Sequence, residues 1–274
     1  MIPGRLDDLS ADVSAILRSL PGVVDVQRHG PAHPSHRIVH LLDWHYVSRD
    51  DYAADLRSQG EIPNTEVDRN WEDLLTEVAA VQEEQLAIVR RLIEQHGLRQ
   101  VYIEGLTDRD VPFFRAKVAA LREIREELSE LRKLVKESGS IPLEEELKAI
   151  EERFRRDLLQ VGAAGRLLME GKVEVLPLDD ADAYDAANPV KNGSVVLDER
   201  RIEARQDAQV KRLLRGNFAL VILGSAHDLA DNLDRLSGGK AEYIRVATKR
   251  WREYTKILEW RESSTRSIRP DRAG

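Results

Sequence analysis

No cysteine occurs anywhere in the chain. That absence excludes disulfides, thiolate metal sites and a cysteine nucleophile, and it is compatible with a reducing compartment. Aromatic residues are scarce, at 5% of 274 residues, whereas 33% are charged and 42% hydrophobic. This length and apolar content suit one large α/β domain or two small ones, and the balance favours long solvated helices over a β-sandwich. Basic charge is not in excess. The formal net charge is −7, which argues against a nucleic-acid partner, because phosphate binding needs a basic face. The C-terminal stretch 249–274 is basic but short and mixed in sign, and reads as a solvated helix followed by a frayed tail. No apolar run approaches the roughly 18 residues of a membrane span. The opening MIPGRLDDLSADVSAILRSL lacks the apolar core of a signal peptide. The expectation is a soluble, cytoplasmic protein with no membrane or nucleic-acid partner. Several motif templates are missing too. No GxGxxG follows a strand, and neither GxxxxGK[ST] nor GxSxG occurs.

What is present is a rhythm of short apolar runs and helical periods. Residues 23–28, 37–45, 100–106, 172–180 and 218–224 read as strands, with 242–248 as a sixth. Most are rich in Val, Ile and Leu on both faces, as in a parallel sheet covered on both sides. Residues 67–96 carry Val67, Trp71, Leu74, Leu75, Val78, Val81, Val89 and Leu92 at helical spacing, and Gly97 stops the helix. Residues 198–215 and 228–236 read as further helices. The expected fold class is α/β, with a mostly parallel central sheet of five or six strands and flanking helices in a single domain spanning 1–274. One segment breaks the alternation. Residues 113–170 hold no strand, and two apolar stripes at spacings of three and four flank a turn at 138–142. They predict an inserted hairpin of two long amphipathic helices. Packing on itself or on the sheet is the plainest account, and a lid or a homodimer arm fits the same pattern.

In a parallel sheet, ligands bind beyond the carboxyl ends of the strands. Four strands deliver an ionisable group there. LLDWHYV brings Asp43 and His45, which share a face if the chain stays extended. VYIEGL brings Glu104, a carboxylate costly to bury unless paired. PLDDADAYD brings Asp179, Asp180, Asp182 and Asp185, of which Asp179 is nearest the strand, and the set fails the spacing of a calcium loop. LGSAHDL brings His227. Ser225 and Asp228 have capping-box spacing, which would set His227 in the first turn of a helix, where the dipole favours the neutral, metal-binding imidazole. His29, His33 and His36 read as loop surface, and His40 faces away from Asp43 and His45. Each histidine also has a plain reading as a satisfied core or surface residue.

Two histidines with carboxylates at a sheet mouth suit zinc, manganese or iron, which could activate water or polarise a carbonyl. Without a metal, His45 and Glu104 could serve as a base and its orienter. The three pieces LLDWHYV, VYIEGL and VILGSAHDL, in that order, resemble the motifs of the TraB, TIKI, ChaN and erythromycin-esterase-like superfamily. Leu42-Asp43-Trp44-His45 stands where that superfamily usually reads glycine-glutamate-x-histidine or glycine-x-x-histidine. The resemblance implies an α/β core with a pocket at the strand ends. It implies that His45, Glu104 and His227 act as metal ligands or acid–base groups. The expectation is a metal-assisted hydrolase of peptide or ester bonds acting on a small-molecule or peptide substrate. Its catalytic residues would be His45, Glu104 and His227, its metal ligands these three with Asp43, and its second choices Asp43, Arg109 and Asp179. The rival expectation is a non-catalytic protein that holds haem, a metal or a small ligand in the same pocket.

Overall fold

The structure is a computed structural model, and it describes residues 6, 8–9, 11–59, 62–188, 190–191, 194–195 and 198–257. In chain order the elements begin with α1 (Val13–Arg18), β1 (Val23–His29), β2 (His36–Asp43), α2 (Arg49–Gln59), α3 (Asn64–His96) and β3 (Gln100–Thr107). Then follow α4 (Val111–Ser138), α5 (Ile141–Met169), β4 (Glu174–Asp179) and α6 (Ala181–Ala187). The chain continues with β5 (Val190–Lys191), β6 (Ser194–Val195), α7 (Glu199–Leu213), β7 (Phe218–Gly224), α8 (Ala230–Ser237) and β8 (Ala241–Thr248). Six strands form one sheet in the order β1-β8-β2-β7-β3-β4, and β5 and β6 form a separate ribbon. Only the β1–β8 pairing of the main sheet is antiparallel. The fold is therefore the expected α/β class with a mostly parallel sheet. The six strand segments lie where the apolar runs predicted them.

The period of two in the strands sorts side chains between two cores. Val39, Leu41, Leu220, Ile222, Ile244 and Val246 pack with α1, α3 and α5 on one face. Ile38, Ala219, Val221, Leu223 and Tyr243 pack with α7 and α8 on the other. His40 belongs to that second face, opposite Asp43 as expected. It is fully buried, accepts from the Tyr243 hydroxyl at Nδ1 (2.6 Å) and donates from Nε2 to the Leu223 carbonyl (2.9 Å). Burial pulls its pKa from 6.5 to about 4, so it is a neutral core histidine.

Helix α3 ends as its sequence says. Gly97 is left-handed at φ 71°, and the Leu98 amide reaches back to the Leu92 carbonyl. Helices α4 and α5 form the expected hairpin, turning at Gly139 (φ 60°). Its base belongs to the main body. Val118 and Leu121 pack on Val161 and Met169, and Ala163, Ala164 and Leu167 of α5 enter the sheet core. One feature of α5 lies outside the periodic pattern. Gly162 sits at φ 65° and ψ −173°, a region open essentially to glycine alone, and kinks the helix. Residues 249–257 are helical, and the frayed-tail reading of 258–274 lies outside the described residues. Among the described residues no helix is long and apolar enough to cross a membrane.

Candidate functional site

Four adjacent strands, β2, β7, β3 and β4, end at one edge of the sheet and carry Asp43, Gly224, Glu104 and Asp179 there. The expected convergence is present, and the geometry arranges it around Glu104. This side chain is 11% exposed. Its Oε1 accepts from Arg205 Nη2 (3.0 Å) and His227 Nε2 (2.9 Å). Its Oε2 accepts from His45 Nε2 (2.6 Å) and the Gly224 amide (2.9 Å). Four donors fill the four lone-pair positions of one carboxylate. Burial alone would raise the Glu104 pKa. The bonds from His227 and His45 outweigh it and hold the carboxyl well below the usual carboxylate range.

His45 does not share a strand face with Asp43, contrary to the extended reading. Strand β2 ends at Asp43, and His45 lies two residues beyond it in the following loop. The departure places the ring between two carboxylates, with Nδ1 at 3.0 Å from Asp43 Oδ2 and Nε2 on Glu104. Burial opposes a charge on the ring, but the bonds to Asp43 and Glu104 win and raise its pKa from 6.5 to about 10. The side chain is 45% exposed, so water tempers the size of that shift and leaves its direction. At neutral pH His45 is an imidazolium with both N–H groups engaged.

Close approach requires glycine at 224. A Cβ there would stand 2.7 Å from His45 Nε2 and 3.2 Å from Glu104 Oε2. At Gly105 a φ of 75° falls where the β3–β4 register shifts, and the Gly105 amide donates to Asp179 Oδ2 at 2.8 Å.

Asp179, a second choice from the sequence, is fully buried and anchors the other side of the cluster. It accepts from Arg205 Nε (2.7 Å), Arg205 Nη2 (3.0 Å) and Gln209 Nε2 (2.9 Å). Arg205 thus bridges Asp179 and Glu104, and its guanidinium lies over the Tyr184 ring, 4.8 Å from the centroid. Arg109, the other second choice, stays outside. It is 61% exposed and pairs with Asp182 and Asp185. Nor does His227 sit in a helical turn. Helix α8 starts at Ala230 with no side-chain cap at Leu229, and Asp228 accepts from the Ala230 amide and pairs with Arg245. The small residues 224–226 turn first, and the His227 amide closes that turn on the Gly224 carbonyl.

Beside this cluster lies a cavity of about 360 Å³, lined by Asp43, His45, Glu104, Arg205, Tyr46, Tyr184, Gln82, Gln85 and the kinked stretch 159–164 of α5, among others. Three of its polar residues were missed by sequence reasoning: Arg205, Gln82 and Gln85. The signal that could have found them is a polar residue in an apolar slot. Gln82 and Gln85 continue the stripe of Val78 and Val81, and Arg205 and Gln209 continue that of Ile202.

The chemistry of the donor set bears on the expected metal. Asp43, His45, Glu104 and His227 offer suitable N and O atoms, but those atoms face one another as hydrogen-bond partners, and a guanidinium already neutralises Glu104. Among the described residues no group of three or more such side chains is arranged around a common cation position. As they stand, these atoms are engaged with one another and with Arg205. No family model, curated protein or solved structure matches this chain.

Proposed function

We propose that the chain is a hydrolase of peptide or ester bonds that works through the His45–Glu104 pair. The observation that supports this is the 2.6 Å contact between a charged imidazole and an ionised carboxylate in the wall of a substrate-sized cavity. Asp43 holds Nδ1, so the ring keeps one anchor while Nε2, bonded to Glu104, acts. As His45 Nε2 turns from Glu104 Oε2 towards the leaving atom of the substrate, water adds to the substrate carbonyl carbon and gives its proton to the freed Oε2 lone pair. The His45 Nε2 proton passes to the departing nitrogen or oxygen as the C–N or C–O bond breaks. Glu104 then returns its proton to His45, and one water has been consumed. As a resting base Glu104 is weak, because charged neighbours lower its pKa. His45 is one of those neighbours, so Glu104 gains basicity as the ring gives up its proton. This chemistry accords with the superfamily whose motifs the sequence resembles.

A second reading is a non-catalytic protein that holds a small ligand, a metal or haem in the same cavity. It is favoured by the saturation of Glu104, which leaves no lone pair for water until a donor moves. The exposed Phe113, Leu134 and Ile141 of the α4–α5 hairpin are what a homodimer through that hairpin would cover.

The test is turnover of a panel of chromogenic esters and peptide anilides by the wild type and by His45→Gln, with metal content read by elemental analysis. The proposal expects turnover that survives chelation and falls at least about 100-fold in His45→Gln, with helical circular dichroism unchanged. Turnover lost on chelation and restored by zinc, manganese or iron would establish the metal-assisted form instead. Undiminished turnover in His45→Gln would remove His45 from the mechanism. No turnover, together with a retained ligand or a Soret band, would establish the binding protein.

A further inference from the structure

Hydrolysis by the His45–Glu104 pair moves a negative charge onto the substrate. As the water oxygen bonds to the carbonyl carbon and its proton goes to Glu104, the π pair moves onto the carbonyl oxygen, which becomes an oxyanion. Fixed donors in a water-poor site stabilise such a charge. Several donors of the cluster are already committed. His45, His227 and the Gly224 amide bond Glu104. The side-chain nitrogens of Gln82 and Gln85 bond the Leu159 and Leu42 carbonyls and Asp43.

Arg205 keeps one nitrogen in reserve. Its Nε and Nη2 hold Asp179, and Nη2 also holds Glu104 Oε1. Nη1 has no hydrogen-bond partner among the described residues, and unlike the Nε atoms of Arg245 and Arg252 it is not sealed from solvent. A guanidinium is planar, with its donors in fixed directions. The bonds to two carboxylates therefore fix Nη1 as well, and its outer N–H projects beside the Nη2–Glu104 bond. The Tyr184 ring covers one face of the group. Arg205 lines the cavity, and its side chain is 14% exposed.

We infer that Arg205 Nη1 is the donor that receives the oxyanion. This rests on the hydrolytic reading above. The movement of charge supports it. When Glu104 takes the proton it stops being a counter-charge to the guanidinium, and the same charge reappears on the substrate oxygen. With Nη2 on Glu104 and Nη1 free for the substrate, Arg205 touches the negative charge before and after the transfer. A nearly buried cation thus keeps two charged partners throughout. Collapse of the oxyanion expels the leaving atom with the His45 proton, and Nη1 releases the product.

The experiment compares an aryl ester with its thiono counterpart, in which sulfur replaces the carbonyl oxygen. It measures kcat/KM for both in the wild type and in Arg205→Lys. Sulfur is a weak acceptor, so a donor on that atom favours the oxygen substrate. Lysine keeps the charge but has a single nitrogen, which Asp179 and Glu104 draw away from the cavity. A purely structural effect lowers both substrates alike, and intrinsic reactivity is the same in both proteins, so both cancel in the ratio. The oxygen-to-sulfur ratio is expected to fall about tenfold or more in Arg205→Lys. An unchanged ratio overturns the inference. So does a fall in Tyr184→Phe with none in Arg205→Lys, which would assign the oxyanion to the hydroxyl beside Gly105. A crystal structure of the wild type with a phosphonate monoester of the same acyl group needs neither a folded variant nor turnover, because the tetrahedral anion stands in for the oxyanion. A phosphonate oxygen bonded to Nη1 is expected. No binding, or phosphonate oxygens on other groups alone, overturns the inference. If the wild type hydrolyses neither ester, the hydrolytic reading fails, and the phosphonate complex alone judges Nη1 as the anion donor of the cavity.

Discussion

At the scale of single residues the site is a charge ledger centred on Glu104. Two cations, His45 and Arg205, lie between three buried or nearly buried carboxylates, Asp43, Glu104 and Asp179. Removing one member of such a cluster leaves its partner charged and desolvated, which is why each is supported by more than one bond. Glycine at 224 is part of this ledger, because a methyl group there would occupy the space of the His45 ring nitrogen. Gly224→Ala should push the ring off Glu104, lower turnover at least about tenfold and lower the melting temperature, because Glu104 is left with one partner fewer. Parallel measurements of activity and melting on that variant check it, and full activity would show that the His45–Glu104 contact is dispensable. The acids and histidines of this ledger were legible in the sequence, because a carboxylate at the end of an apolar run is costly unless paired. Arg205 was harder to read, since within a helix as charged as α7 its place in the slot of Ile202 is the one feature that sets it apart from its solvated neighbours.

At the scale of elements the same contrast appears. The strands were legible because burial on both faces leaves continuous runs of Val, Ile and Leu, and α3 because its stripe ends in a left-handed glycine. The end of β2 was harder. Apolar and aromatic residues continue past Asp43 through Trp44 and Tyr46, so the composition hides the point where the chain leaves the sheet and swings His45 over Glu104. The kink of α5 was hidden for the opposite reason, since one glycine in VGAAG reads as a tolerated helix residue. That kink shapes the cavity wall from Leu159 to Ala164. Gly162→Ala should cost about 1–3 kcal/mol by forcing a side chain into a glycine-only backbone region. Urea denaturation measures it. A neutral or stabilising change would mean that α5 straightens without penalty and that the kink does not define the wall.

At the scale of the whole molecule, the sheet brings together four strand ends that are far apart in sequence, and the site's charge state ties fold to pH. The His45 pKa is raised on folding, so its contribution to stability is complete below the unfolded value of 6.5 and is lost as pH rises through about 10. The Glu104 pKa is depressed, so its contribution is present above the ordinary carboxylate range and is lost only as pH falls well below 4.5. Stability from the cluster should therefore be greatest between about pH 4.5 and 6.5 and fall progressively from there towards pH 10. The most direct test is a nitrogen-detected NMR titration of the histidine rings, with His45 assigned by His45→Gln. A His45 ring that stays doubly protonated through neutral pH and discharges near pH 10 is the expected result. A ring that discharges near pH 6.5 would contradict the charged His45–Glu104 pair on which the mechanism depends.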